Sequence, residues 1–407
     1  MSNLQTEGAM IALEPTIRHG ACLRVIGVGG AGGNAINTMI ERGLRSVDFI
    51  AANTDVQALA LNRAPVKIQL GKELTRGLGS GSDPAVGQQA TEESADELRD
   101  ALGGSDMVFI TAGMGGGTGT GGAPVVARIA RELGALVVAI VTKPFEWEAR
   151  HRMRVAEAGI AELRKHVDAL IVVPNQRLLG IIDRHTSVRE AFQRVDEVLY
   201  NATRGIADIV TGCGYINVDF ADVRTIMKGM GDALMGMGWG RGEHRAIEAV
   251  QAALNSPLLE GISIAGARGV LVNITGGPDL SMYEVAEAMR LIEEAAGSEA
   301  NIIHGIVMKD EPCEEISITL VATGFTTSAT SASELRTQEA LPVVQEAAAV
   351  AASGGYPRQT IPTSSPIGAQ ELQMYDEPAF LRRGNVRAVS ASSSMLEQPA
   401  FLRKLVD

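Results

Sequence analysis

Ala112-Gly113-Met114-Gly115-Gly116-Gly117-Thr118-Gly119-Thr120-Gly121-Gly122-Ala123-Pro124 is the stretch from which this chain has to be read. Before it, Met107-Val108-Phe109-Ile110-Thr111 has the β-branched, apolar character of a buried strand. After it, Pro124-Val125-Val126-Ala127-Arg128-Ile129-Ala130 starts a helix with proline in the first turn. The order is strand, glycine loop, helix. Glycines let backbone N–H groups converge without Cβ obstruction, and a helix N-terminus adds unpaired donors and the positive end of its dipole. Such a loop cradles a polyphosphate. A flexible linker is the plainer alternative, but linkers do not usually sit between a buried strand and a helix start.

No Gly-x-x-x-x-Gly-Lys-Ser/Thr occurs, which excludes a P-loop and its phosphate-reaching lysine. One helix end favours an anion by only about 0.3–1 kcal/mol, so several loops and a metal ion must share a triphosphate's charge. A second strand–glycine–helix unit supplies one of them: Leu23–Val28, then Gly29-Gly30-Ala31-Gly32-Gly33-Asn34, then a helix from Ala35. Gly27, Gly29 and Gly32 satisfy Gly-x-Gly-x-x-Gly, with Asp55 downstream, so a Rossmann-type dinucleotide-dependent oxidoreductase is the rival reading. That reading leaves the larger glycine loop idle, whereas two loops at carboxyl ends of parallel strands can close on one set of phosphates. Asn53-Thr54-Asp55 ends the next strand, either facing a ribose or metal-bound water or simply capping a helix. Gly77-Leu78-Gly79-Ser80-Gly81-Ser82-Asp83-Pro84 forms a third glycine loop.

Strands at Val47–Asn53, Val66–Leu70, Ala135–Val141 and Ala169–Val173, with helices through Thr91–Leu102 and Arg152–Val167, bring the count to six strands alternating with helices, a doubly wound α/β sheet. Val188–Val210 is the strongest helix: Val188, Phe192, Val195, Leu199, Ala202, Ile206 and Ile209 recur at helical spacing over a span of about 35 Å. Phe192 and Asp196 share a side of it, so a ring and a carboxylate can face one ligand, although Phe192 alone reads more readily as core. Beyond it, helices at 222–237, 244–254 and 281–296 interleave with strands at Gly269–Thr275, Ile302–Met308 and Glu315–Thr323, a second α+β domain. Met227, Met230, Met235 and Met237 suit a soft contact surface or a plain core.

The expected organisation is a flexible arm (1–20), a nucleotide-binding domain (21–187), the central helix (188–211), the α+β domain (212–326), a disordered linker (327–374) and a tail (375–407). A net charge of -12 opposes nucleic-acid binding, which needs a basic face. Cys22, Cys213 and Cys313 are too scattered for a disulfide framework or zinc site and fit a reducing cytoplasm. The longest apolar run, Ala135–Val141, is far short of the roughly 20 residues that span a bilayer, so no direct membrane insertion is expected. In the tail, Glu377-Pro378-Ala379-Phe380-Leu381-Arg382-Arg383 recurs as Gln398-Pro399-Ala400-Phe401-Leu402-Arg403-Lys404.

Gly115-Gly116-Gly117-Thr118-Gly119-Thr120-Gly121 is the signature of the tubulin superfamily, and in this setting the chain resembles its FtsZ family from about residue 21 to 326 and again in the tail motif. The resemblance implies a tubulin-like fold that binds GTP or GDP with Mg²⁺ between the glycine loops, through Gly30, Ala31, Gly32, Gly33, Asn34, Gly117, Thr118 and Gly119. It implies that Glu148 and Arg152 contact sugar and phosphate, though an i,i+4 Glu–Arg pair is also ordinary at an exposed helix start. It assigns Phe192 and Asp196 to guanine. An aspartate accepts from guanine N1–H and its amino group but meets an unpaired acceptor in adenine, and mismatches of this kind discriminate by roughly 10⁴. Asn217, Asp219 and Asp222 are implied to complete GTP hydrolysis in the next subunit of a head-to-tail filament, Asp219 and Asp222 reading locally as helix N-cap and first-turn acid. The family's filaments form the division ring at midcell. Its tail peptide docks on membrane-tethering proteins, here through Phe380, Leu381, Phe401 and Leu402. Two tail copies, and Trp239 where the family tends to carry a smaller residue, are departures.

Overall fold

A computed structural model describes residues 20–180, 185–211, 218–259, 263–309 and 313–325. All lie in the first of two compact units, Met1–Ser328, the second being Ala329–Asp407. The proposed linker and both tail peptides fall outside the described residues.

The fold is α/β, built on one sheet of ten strands: β1 (Leu23–Val28), β2 (Asp48–Asn53), β3 (Val66–Gln69), β4 (Met107–Gly113), β5 (Leu136–Lys143), β6 (Ala169–Pro174), β7 (Gly231–Arg241), β8 (Gly269–Gly276), β9 (Asn301–Met308) and β10 (Glu315–Thr323). Their order is β3-β2-β1-β4-β5-β6-β7-β10-β8-β9. The first six are parallel, as alternation with helices requires, because a parallel neighbour can be reached only by a crossover. β4 and β5 are buried almost end to end, which explains their unbroken apolar runs. β7 joins β6 in parallel over Ala169–Ile171 only. Beyond it β10 runs antiparallel between β7 and β8. The nucleotide-type half and the α+β half therefore share one sheet.

The helix Val188–Val210 spans the predicted range. Ser187 and Glu190 cap it reciprocally: the Ser187 hydroxyl accepts from Glu190 N at 3.3 Å and the Glu190 carboxylate accepts from Ser187 N at 2.8 Å. Val195, Leu199, Ala202, Ile206 and Ile209 enter the core on one face of the sheet, while Val188 and Phe192 stay partly exposed.

Several helix bounds expected from the sequence are corrected. The helix after the central glycine stretch starts at Thr118, with Pro124 inside it, and the first helix starts at Gly29, so much of each glycine "loop" is helical turn. Glycine there costs about 1 kcal/mol in intrinsic propensity. Close approach explains its presence: a Cβ on Gly121 would stand 2.0 Å from the Pro84 carbonyl oxygen of the neighbouring helix. The helix expected at Thr91–Leu102 is two, Pro84–Glu93 and Ala95–Leu102, meeting at Ser94. The helix expected at Arg152–Val167 runs Arg150–Leu163.

The helix expected at 222–237 ends at Met227, and β7 follows. Period two overrides methionine's helical preference: Met235 and Met237 point into the core while Gly236, Gly238 and Gly240 face the helix Arg245–Leu254. A Cβ at those glycines would lie 2.2, 2.0 and 1.9 Å from the carbonyl oxygens of Ala253, Ala249 and Arg245. Met227, Met235 and Met237 are core, not contact surface. Gly238→Ala should therefore destabilise the protein by about 1–3 kcal/mol through overpacking; urea unfolding of the variant measures it.

Candidate nucleotide site

Strands of a parallel sheet deliver their carboxyl ends to one edge, where ligands of open α/β sheets bind. Here Val28, Asn53, Gly113 and Thr142, from β1, β2, β4 and β5, together with Asn175 just after β6, line one cleft of about 460 Å³. From the first helix come Gly30, Ala31 and Asn34, and from the central helix turn Gly117, Thr118 and Gly119. The third glycine loop contributes Gly79 to Ser82.

Thr118 ties these segments together. Its hydroxyl is 2.6 Å from that of Thr54 and 3.0 Å from that of Ser80, all three buried. Gly29, at φ +74°, has room for only a hydrogen facing Gly119 N, since a Cβ would stand 3.0 Å away. Two expected cradle residues do not line the cleft. A Cβ on Gly32 would come 2.4 Å from Thr111 O, so its lack of a side chain serves packing, and the Gly33 carbonyl accepts from Asn62 Nδ2 at 2.8 Å on the other side of the helix. Asp55 caps the helix Val56–Leu61, accepting from Gln57 N and Ala58 N, so the capping reading of Asn53-Thr54-Asp55 holds, and all three residues also line the cleft.

Glu148 and Arg152 both line the cleft, but not as an exposed helical pair. Glu148 closes a 3₁₀ turn, Arg152 belongs to the next helix, and Ala149 at φ +87° breaks the chain between them. The Glu148 carboxylate is nearly buried, accepting from Phe145 N at 2.9 Å and meeting Arg152 Nη1 at 3.0 Å. At the cleft's other end Phe192 is half-exposed, edge-on to buried Phe145 with centroids 5.5 Å apart. Asp196, one turn on, has no hydrogen-bond partner among the described residues, and burial pushes its carboxyl up to about 7. Asn175 Oδ1 is likewise buried without a partner. Orphaned polar groups in a cavity mark places where a ligand supplies the missing bonds. Asn175, Thr142 and Met114 are cleft residues that sequence reasoning missed; a polar residue at the carboxyl end of β6 was the available signal for Asn175.

Asp219 and Asp222 are not brought to this cleft. Both are exposed at the start of the helix Phe220–Met227, Asp219 in the N-cap position without a side-chain capping bond. The far end of that helix reaches the amino ends of β5 and β6, where Arg224 donates to Gly134 O. Asn217 lies outside the described residues. Trp239 is half-exposed on β7, beside a groove it shares with Met237 and Leu258.

A doubly wound sheet with three glycine segments around one cleft and a free ring–carboxylate pair defines a nucleotide-binding protein that does without a P-loop lysine. Residues 23–183 match the Tubulin/FtsZ family GTPase domain, and residues 231–326 match the FtsZ family C-terminal domain. An FtsZ dimer from M. jannaschii is 44% identical, with TM-score 0.72 over 75% of this chain and 88% of that one. A point mutant of that FtsZ gives 44% identity and TM-score 0.73 over 76% and 92%. CetZ2 from Haloferax volcanii, solved as a GTPγS-bound protofilament, shares the fold at 23% identity and TM-score 0.63 over 80% and 99%. The chain belongs to the Tubulin/FtsZ family and, as such, binds and hydrolyses GTP and forms filaments. These likenesses lend the dinucleotide-oxidoreductase alternative no support.

Asp196 yields a signed prediction. A carboxyl whose folded pKa is raised holds more protons in the folded than in the unfolded state between about pH 4 and 7, so its contribution to stability falls as pH rises through that window. Asp196→Asn should raise the melting temperature of nucleotide-free protein at pH 8 and leave it nearly unchanged at pH 4.5. In the wild type, guanine-nucleotide affinity should weaken from pH 8 to pH 6 as the acceptor is lost; calorimetry at each pH reads both.

Proposed function

We propose that this GTPase splits its active site between successive subunits and that its filaments organise the bacterial division ring. The observation that carries the first part is the separation of parts: the cradle stands at the carboxyl edge of the sheet, and the exposed acids Asp219 and Asp222 lie outside it, on a helix whose Arg224 reaches the amino end of β5. The cleft-lining carboxylates are Asp55, Glu148 and Asp196. Asp55 is occupied as a helix cap, Glu148 by Phe145 N and Arg152, and Asp196 stands beside Phe192 at the base end. Each of these thus has a local role already, Asp55 through Oδ1 alone.

In this reading Gly30, Ala31, Asn34, Gly117, Thr118 and Gly119 cradle the phosphates, Glu148 and Arg152 meet sugar and phosphate, and Phe192 stacks on guanine. Asp196, aided by Asn175, accepts from guanine N1–H and the amino group. Gly32 and Gly33 act by letting the first helix sit close. Hydrolysis is phosphoryl transfer to water, driven by positioning and electrostatics. Asp219 and Asp222 of the following subunit orient the attacking water, with Asn217 beside them. The donor set fits Mg²⁺ held mainly by phosphate oxygens and water, as that ion prefers. No described group of three or more His, Cys, Asp or Glu forms a protein cage for it, and the Thr118 and Ser80 hydroxyls are the neutral oxygens at hand. When bound, the ion neutralises phosphate charge.

Self-association is supported by the FtsZ dimer and the CetZ2 protofilament among the similar structures. A head-to-tail contact uses different surfaces on its two sides and so propagates instead of closing. Placement at midcell in the cytoplasm rests on family membership together with the tail. Phe380-Leu381 and Phe401-Leu402, each followed by basic residues, are apolar anchors for membrane-tethering division proteins. Two anchors raise the effective concentration of ligand at a clustered partner. Among the described residues no helix is long and apolar enough to cross a membrane.

GTPase rate against protein concentration tests the split site. A threshold followed by a steep rise is expected; turnover per molecule that is constant down to high dilution contradicts it. Asp222→Ala should keep GTP affinity within about twofold and lose roughly 10²–10⁴ in turnover, the usual worth of a positioned acid or base.

A further inference from the structure

The amino edge of the sheet carries a feature that hydrolysis does not use. Arg131, Arg224 and Lys228 surround a concavity of about 240 Å³ whose floor is Gly134, Ala135 and Leu136 at the start of β5 and Asp168 before β6. Arg131 is fixed by donating to Lys165 O at 3.0 Å and Arg224 by donating to Gly134 O at 3.3 Å, so both guanidinium groups are held in place with donors to spare. The one carboxylate in the wall, Asp168, is largely buried and accepts from Val137 N at 2.9 Å through Oδ2. The neighbouring cations Arg164 and Lys165 are paired with Asp232 and Glu162. No described carboxylate pairs with Arg131, Arg224 or Lys228. In a chain of net charge -12, three gathered cations that outnumber the single carboxylate beside them point to a partner that brings a further anion.

The opposite edge of the same two strands offers it. β5 leads into a turn that lifts Glu146 and Trp147 into solvent, Trp147 being 64% exposed. The turn is rigid: Trp147 stacks on buried Phe145 with centroids 5.7 Å apart, and Glu146 N donates to Gln176 Oε1 at 3.2 Å. Tryptophan is among the residues enriched at interface hot spots, and this one is both exposed and held in place. Eight residues of β5 separate the two features, about 26 Å along the strand.

We propose that the basic concavity of one subunit receives the Glu146–Trp147 turn of the next, with Glu146 paired to Lys228 and Arg224 and the Trp147 ring under a guanidinium. The inference rests on the head-to-tail reading above. A stack made by translation along the strands sets the amino edge of β5 and β6 over the loops that leave their carboxyl edge, and the same translation carries Asp219 and Asp222, on the helix that supplies Arg224, toward the cleft. The contact gives the seam a register, because only an anion and an aromatic face together satisfy the concavity. It is also screened by salt.

The test is a charge swap on the full-length protein, read as the threshold concentration for sedimentation with a slowly hydrolysed GTP analogue. Lys228→Glu and Glu146→Lys should each raise the threshold roughly three- to tenfold, since repulsion replaces an exposed pair. Nucleotide affinity measured in dilute solution should stay within twofold, which also reports that each variant is folded. Lys228→Glu combined with Glu146→Lys should bring the threshold back to within about twofold of wild type. Single variants that assemble normally, or a double variant worse than either, overturn the proposal. If that happens while Asp222→Ala still abolishes turnover, the split site stands and only the docking contact falls; absence of any threshold in the wild type removes both.

Discussion

Thr118 is the point from which the site is organised. Its hydroxyl lies within hydrogen-bond distance of Thr54, at the end of β2, and of Ser80, in the third glycine loop, while its own backbone opens the helix whose N-terminus faces the cleft. A hydroxyl has one proton and two lone pairs, so it can satisfy two neighbours, and burial makes leaving either unmet cost about 1–3 kcal/mol. The three segments are thereby locked to one another before any ligand arrives. Preorganisation of this kind matters where no lysine reaches the phosphates, because weak donors on several loops must all be in place together.

Much of this was legible in the residues. The strand runs, the order strand–glycine–helix and the 23-residue helix Val188–Val210 are written in apolar periodicity, and each appears within a few residues of its expected place. What failed shares one cause: local preference was read where tertiary contact decides. Gly121 looks like loop in a sequence and is helix in the fold, because the Pro84 carbonyl leaves no space for a side chain. Residues 231–237 read as the end of a helix, yet alternate glycines admit the helix Arg245–Leu254 against the sheet only if the segment is a strand. Within the site, Phe192 and Asp196 could be paired from their spacing. The separation of Gly30, Ala31 and Asn34 from Gly32 and Gly33 could not, since which side of a glycine helix faces the ligand is set by its neighbours, here Thr111 and Asn62.

One continuous sheet also constrains assembly. Because β6 pairs with β7 and β10 bridges β7 to β8, the described strands behave as a single twisted plate with a ligand edge and an opposite edge. The Val188–Val210 helix lies along it, its first turns at the cleft through Phe192 and Asp196 and its last turns bonded toward β8, where Asn273 Nδ2 donates to Gly205 O at 3.0 Å. Ligand contacts at one end are thus made by the same rigid element whose other end is anchored under the second half. This is a physical connection between the two halves; coupling through it would require that element to have two arrangements.

Asp196 shows how such a site can be poised. A half-buried carboxyl without a protein partner is a standing cost to the empty fold, expressed in its raised pKa, and partial burial is what makes it useful. In water the same acceptor would gain little from meeting guanine, because it would exchange one set of hydrogen bonds for another. In the cleft that it lines with Phe192 and the orphaned Asn175 oxygen, it has no hydrogen bond within the described protein to give up. The base that supplies two donors relieves the cost, and one that presents an acceptor adds to it. Selectivity for guanine then comes less from the strength of the bonds formed than from the penalty waiting for any base that fails to form them.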